Sequence, residues 1–239
     1  MEIIAHRGYS AKYPELTPLA FERALELPVH GVECDVRLCR DGEMVVVHDP
    51  VIDRVADGSG RLSRMTLPEL REYNFGTEEH PQTVLTLHEL LEMVAATDKH
   101  LYIETKHPSC FGPVVEEQVV RVLQHAGLLD DPRIHVITFS AAAVVRMRRL
   151  APHVDRIHLR RRYERWANPV DVHPGRPTGL GLSLWRARRR PDLIGRSGLP
   201  TYMWTVNEPG DMLWARDNGV DLMATDEVER ALEVLGAAQ

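Results

Sequence analysis

The sequence predicts an α/β fold, a (β/α)8 TIM barrel with a small insertion after the second strand, on three observations. Short apolar runs alternate with amphipathic stretches about eight times along 239 residues, the strand–helix count of that barrel. Polar and ionisable residues gather where the predicted strands end, and in such barrels the loops at the carboxyl ends of strands carry the chemistry. No G-x-G-x-x-G follows a predicted strand, which argues against the doubly wound open sheet, the alternative arrangement.

The first apolar run, Glu2 to Ala5, ends in His6-Arg7-Gly8. Tyr9 to Pro18 reads as loop. Leu19, Ala20, Ala24, Leu25 and Leu27 then form a helical stripe that stops near Pro28. Gly31 to Asp49 is the stretch the chain is organised around. Period two puts Glu33 and Asp35 on one face of a strand and Val32, Cys34 and Val36 on the other. Asp41-Gly42 signals a hairpin, so Met44 to Val47 returns and carries His48 and Asp49 back toward the carboxylates. Residues 50–84, rich in turn and charged residues, read as a small inserted subdomain of one domain spanning 1–239. A short helix is expected there from Leu67 to Tyr73, capped by Thr66. Thr86 to Ala96 is a helix opened by a capping box, Thr86 with Glu89. Further strands are predicted at His100–Glu104, Ile134–Phe139, Arg156–Leu159, Gly179–Leu184, Thr201–Val206 and Asp221–Ala224. Helices fall at Pro113–Ala126, Ala141–Leu150, Pro209–Asn218 and Glu227–Leu235, with a weaker one inside Arg186–Arg196.

A net charge of −6 gives no global nucleic-acid signature, and no apolar run reaches a membrane span. The three cysteines are odd in number and form no C-x-x-C pair, so reduced thiols are expected. Met1 to Ile4 run straight into the first motif and leave no room for a signal peptide. Together these lead us to expect a cytoplasmic chain. Its oligomeric state is not legible.

Glu33, Asp35 and Glu104 are inward carboxylates of one rim, and their mutual repulsion either raises pKa values or demands a cation. Hard divalent ions prefer such oxygen ligands. Taken singly, Glu33 and Asp35 also suit salt-bridge partners, and His6 and His48 suit structural histidines. Two histidines at strand ends flanking the acids favour acid–base work instead. Arg7 and Lys106, fixed cations beside the acids, suit a phosphate group. Phe139 and Trp204 are either barrel core or, if on the rim, an apolar wall for the alcohol part of a substrate. Cys34 faces the helices by alternation and is packing. Two arginine clusters, Arg160-Arg161-Arg162 with Arg165 and Arg186 with Arg188 to Arg190, read as solvated surface or, more sharply, as a second anion site.

The chain resembles the glycerophosphodiester phosphodiesterases. His6-Arg7-Gly8, Pro14-Glu15 with Thr17, Glu33-x-Asp35, His48-Asp49, Glu104-x-Lys106, Trp204-Thr205-Val206-Asn207, and Gly219-Val220-Asp221 through Ala224-Thr225-Asp226 stand in the family's order. The resemblance implies a (β/α)8 barrel with a small insertion after the second strand. It also implies one divalent metal, Mg²⁺ or Ca²⁺, on Glu33, Asp35 and Glu104, with His6 and His48 as the acid–base pair. Arg7 and Lys106 then hold the phosphate of a small-molecule glycerophosphodiester, which is cleaved to sn-glycerol 3-phosphate and an alcohol. Leu16 departs from the family pattern, standing where Asn is usual and removing a polar side chain beside His6. The nucleophile is water or the neighbouring glycerol hydroxyl, the second giving a cyclic phosphate first. Rival readings are a lysophospholipase D acting on lipid and a non-catalytic phosphate-binding barrel.

Overall fold

The structure, a computed structural model, describes residues 1–160 and 174–236. Its strands are β1 (Glu2–His6), β2 (Gly31–Leu38), β3 (Met44–Val46), β4 (His100–Thr105), β5 (Ile134–Thr138), β6 (Asp155–Arg160), β7 (Gly179–Ser183), β8 (Thr201–Trp204) and β9 (Leu222–Thr225). All but β3 run parallel in one ring, and β9 returns to β1, closing an eight-stranded barrel. The short β3 adds antiparallel to β2 through Val36 and Val46, as the Asp41-Gly42 hairpin requires. The helices are α1 (Pro18–Leu25), α2 (Leu67–Leu70), α3 (Leu87–Ala95), α4 (Val114–His125), α5 (Ala141–Leu150), α6 (Leu184–Arg189), α7 (Pro209–Asp217) and α8 (Val228–Gly236).

Alternation along the strands builds two apolar layers, as a parallel sheet covered on both faces must. Val32, Cys34 and Val36 of β2 join Phe21, Leu90 and Val119 in the layer between strands and helices. Ile4, Tyr102, Ile137, Ile157, Tyr202 and Ala224 fill the barrel itself. Close approach at the start of β2 depends on Gly31, where a Cβ would lie 2.4 Å from the carbonyl oxygen of His100. The amino end of the barrel is floored by rings. His30 stacks on His100 at 4.0 Å, and Tyr102 stacks on His135 at 4.4 Å. His135 Nδ1 donates to Asp155 at 3.1 Å, which leaves its Nε2 to accept from His100 Nδ1 at 2.8 Å.

Caps explain most element starts. Thr86 and Glu89 form the expected capping box on α3, and Thr66 and Glu69 form a second on α2. Thr17 caps α1 with Pro18 in its first turn, so that helix begins and ends slightly earlier than its apolar stripe. The insertion helix stops at Leu70, short of the expected Tyr73. Beyond it the Asn74 side-chain oxygen accepts from the backbone of Gly76 and Gln82, both at 2.8 Å, offering the chain an alternative to another helical turn. Helix α6 is likewise short, opened by Ser183 and ended before Pro191. The insertion keeps apolar contacts of its own, with Ile52, Leu62, Leu70 and Phe75 packed on Val45 and Val47. No helix among the described residues is long and apolar enough to cross a membrane.

Candidate active site

The strand pleat aims Glu33, Asp35 and Glu104 into the barrel near its carboxyl end, and the register sets Asp35 beside Glu104. One oxygen from each lies within 4.8 Å of the others. All three are buried. Burial, reinforced by Asp35 and Glu104, raises the Glu33 pKa well above the usual carboxylate range. Burial likewise raises Glu104, to about 7, with Lys106 opposing and Asp35 adding to it. Burial would raise Asp35 too, but Lys106 and Arg7 hold it below its ordinary value. Lys106 Nζ sits 2.7 Å from Asp35 Oδ1 and 2.6 Å from Glu104 Oε1. Arg7 Nε is 3.2 Å from Asp35 Oδ2, too oblique for a hydrogen bond, so that buried oxygen has no donor. An oxygen-only donor set with an unserved buried oxygen fits a hard divalent cation.

Each histidine is oriented by an aspartate. His6 ends β1, and its Nδ1 lies 2.7 Å from Asp226 Oδ1, just after β9. Its Nε2 then faces the acids, 3.9 Å from Glu33 Oε2. Asp226 also accepts from Ser10 Oγ at 3.0 Å and Asn207 Nδ2 at 2.8 Å. Burial would raise its pKa, but His6, Asn207 and Ser10 bring it down to about 2. His48, just after β3, has Nδ1 2.9 Å from Asp49 Oδ1. Burial lowers the His48 pKa, with Asp35 opposing, and favours the neutral imidazole.

A chain of ion pairs ties the insertion to the acids. Arg54 donates to Asp49 at 2.7 Å and grips both oxygens of Glu15 at 3.0 and 2.7 Å. Glu15 accepts from Arg7 at 3.0 Å in turn. Arg7 itself is left-handed, with φ 60°, an uncommon conformation for a side chain of its size. Its backbone N–H thereby reaches Glu33 Oε2 at 3.1 Å. Leu16 is also left-handed, with φ 61°, a conformation Asn adopts more readily. The loop beside His6 is braced through backbone instead, Leu16 N–H donating to the Arg7 carbonyl at 3.0 Å, while the Leu16 side chain packs in the outer core.

Phe139 and Trp204 meet edge to face, 5.4 Å between centroids at 82°. They pack on the barrel interior and also line a cavity of about 520 Å³ with His48, Glu104 and Lys106, so they belong to the core and to the rim at once. The arginine clusters, read from the sequence as solvated surface or as a second anion site, are placed only in part. Arg160 lines this cavity, whereas Arg188 pairs with Asp211, Arg189 lies over Trp185 and Arg190 pairs with Asp192. Arg161, Arg162 and Arg165 lie outside the described residues. Sequence reasoning missed Asp226, Arg54 and the bridging role of Glu15. The Thr225-Asp226 strand end was visible, but its pairing with His6 exists only because the barrel closes.

Acids and histidines from distant segments converging on one barrel rim give the layout of a (β/α)8 enzyme. The chain belongs to the glycerophosphoryl diester phosphodiesterase family, an enzyme family whose model matches residues 6–230. It is 38% identical over 244 aligned positions to "Probable glycerophosphodiester phosphodiesterase 1" of Mycobacterium tuberculosis, covering 93% of this chain and 88% of that one. It is 30% identical to the glycerophosphodiester phosphodiesterase of Bacillus subtilis, covering 91% and 80%. Among solved structures, a phosphodiesterase of Oleispira antarctica in complex with the product sn-glycerol 3-phosphate superposes with TM-score 0.90 at 24% identity, covering 99% and 97%. The Thermotoga maritima glycerophosphodiester phosphodiesterase superposes with TM-score 0.80 at 26% identity, covering 98% of each chain.

Proposed function

We propose that this chain cleaves glycerophosphodiesters to sn-glycerol 3-phosphate and an alcohol, using one divalent metal, Mg²⁺ or Ca²⁺, held by Glu33, Asp35 and Glu104. The observation that carries the reading is the convergence of three buried carboxylates with two histidines, each oriented by an aspartate. The family match and the sn-glycerol 3-phosphate bound by the Oleispira antarctica relative support it. When bound, such an ion supplies Lewis-acid polarisation of a phosphoryl oxygen. Arg7 offers a fork and Lys106 a point charge to the phosphate. His6 and His48 act as an acid–base pair, one taking a proton from the nucleophile and the other giving one to the leaving oxygen. Asp226 and Asp49 fix which ring nitrogen of each is free for that work. Phe139 and Trp204 wall the alcohol. The lipid-directed alternative needs a broad apolar apron; among the described residues only Trp185 is a large hydrophobic both exposed and on the cavity.

The test is glycerol 3-phosphate release from glycerophosphoglycerol. Activity is expected to vanish in EDTA and return with Mg²⁺ or Ca²⁺. Undiminished turnover in EDTA would remove the metal from the reading, and no release with either ion would remove the substrate. Product analysis in ¹⁸O-water separates direct attack by water from a transient cyclic phosphate.

A further inference from the structure

A second cavity, about 510 Å³, opens between the insertion and the loop after β4. Four cations, Arg37, Arg61, Arg64 and Lys106, stand on its walls with the apolar Leu62 and Phe111, and among the described residues no carboxylate lines it. Arg61 precedes and Arg64 ends a single 3-10 turn whose Leu62 is buried in the insertion core, and both residues line the cavity. The other two arginines of the insertion are paired, Arg54 with Glu15 and Asp49 and Arg71 with Glu89. Among the described residues no carboxylate comes within ion-pair distance of Arg37, Arg61 or Arg64. Arg37 uses its Nε on the His48 carbonyl, 2.7 Å away, which fixes the stem of that side chain. Arg37 and Lys106 also line the cavity that holds His48, Phe139 and Trp204, so the two spaces meet at these cations, on the alcohol side of the acids.

Lys106 is paired with Asp35 and Glu104 and Arg37 feels the acids of the rim, so the unneutralised positive potential focused into the space comes from Arg61 and Arg64 on the insertion side. The ligand that relieves this is a compact, doubly charged anion, and guanidinium forks match the oxygens of a phosphate. We infer that this cavity is an annex of the active site that receives a second phosphate carried on the leaving alcohol, so the enzyme prefers glycerophosphodiesters whose alcohol is itself phosphorylated. The inference rests on the proposed function for the reaction, and on Arg37, Arg61 and Arg64 for the selection. It places an anion site at the insertion, distinct from the arginine clusters after β6 and β7.

The matched pair is glycerophosphoinositol and glycerophosphoinositol 4-phosphate, which differ by one phosphate. With the metal-supplemented full chain, kcat/KM is expected to be at least about 10-fold higher for the phosphorylated ester, since one Arg–phosphate contact is a charge-assisted pair. In Arg61→Ser/Arg64→Ser that ratio should fall to within about twofold of unity. Arg121→Ser, an exposed arginine on α4 away from the cavity, should leave the ratio where it was. Equal kcat/KM for the two esters in the parent, or the same ratio in the double variant, overturns the annex. Calorimetric binding of inositol 1-phosphate and inositol 1,4-bisphosphate separates this from a failure of the reaction itself. A bisphosphate preference that depends on Arg61 and Arg64, in a protein that cleaves no diester, keeps the annex and rejects the proposed function. Equal binding of the two, whatever the activity, rejects the annex.

Discussion

Loading the acidic cluster with a divalent ion should raise the melting temperature, and removing one acid should abolish that rise. Glu33 and Asp35 are each 1% exposed and Glu104 7%, so an ion that binds them binds only the folded chain. Mass action then stabilises the fold by about 2.7 kcal/mol at a hundred times the dissociation constant. For 239 residues the unfolding entropy is about 0.5 kcal/mol per degree, so Tm should rise about 5 °C. Glu33→Gln is the informative variant. It removes one anionic ligand but keeps an oxygen near the backbone N–H of Arg7, 3.1 Å away. If affinity drops a hundredfold, the same ion concentration gives only about 0.4 kcal/mol, or about 1 °C. In EDTA the sign reverses, because burial beside Asp35 and Glu104 already disfavours the charged form of Glu33. The Gln variant should there melt at or above the parent. Differential scanning calorimetry in EDTA, Mg²⁺ and Ca²⁺ reads all three numbers. A parent Tm indifferent to both ions, or a Gln variant that responds as strongly, would refute the cage.

Three further outcomes follow from the geometry. His6→Ala and His48→Ala should each lower kcat about 10²- to 10⁴-fold with the far-ultraviolet spectrum unchanged, and Asp226→Asn should lower kcat by less than His6→Ala does; a histidine variant with parental kcat removes that residue from the chemistry. His100, pressed between His30 and His135, has its pKa lowered to about 4, by burial first and then by its two neighbours. A folded pKa below the unfolded value near 6.5 means the native state binds fewer protons, so stability present above pH about 6.5 is lost as pH falls toward 4. After discounting for the partial exposure of this ring the loss is about 1–2 kcal/mol, or 2–4 °C; His100→Gln should flatten that part of the Tm–pH curve, and an unchanged slope sinks the account. Gly8 has φ +76°, and a Cβ there would lie 2.8 Å from the Ala20 carbonyl carbon. Gly8→Ala should therefore cost at least about 1–2 kcal/mol and lower Tm by at least about 2–4 °C, whereas an unaltered melt means the loop after β1 relaxes freely.

Much of this molecule is set by local rules that act along the chain. Period two assigns Glu33 and Asp35 to one face and Cys34 to the other whatever lies across the strand. Thr86 with Glu89 starts a helix because two orphan backbone groups are satisfied within four residues. Asp41-Gly42 returns the chain because Gly42 adopts φ 87° without strain. These short-range preferences are enough to count the strands, to recognise the rim and to nominate the acids and histidines upon it.

What the chain alone leaves undecided is every pairing that depends on ring closure. His6 and Asp226 are 220 positions apart and meet only because β9 returns to β1. Arg54 reaches Glu15 because the insertion folds over the loop after β1, and Arg61 and Arg64 face a cavity for the same reason. Arg188, Arg189 and Arg190 after β7 are engaged by Asp211, Trp185 and Asp192, and Arg160 at the end of β6 lines the cavity of the acids. A charge in a sequence has no partner until the fold supplies one: hydrogen bonds act only within about 3 Å, and Coulombic attraction between exposed charges is screened beyond about 10 Å. Local sequence thus determined which groups the barrel presents at its rim, and tertiary structure decided which of them neutralise each other and which remain for a ligand.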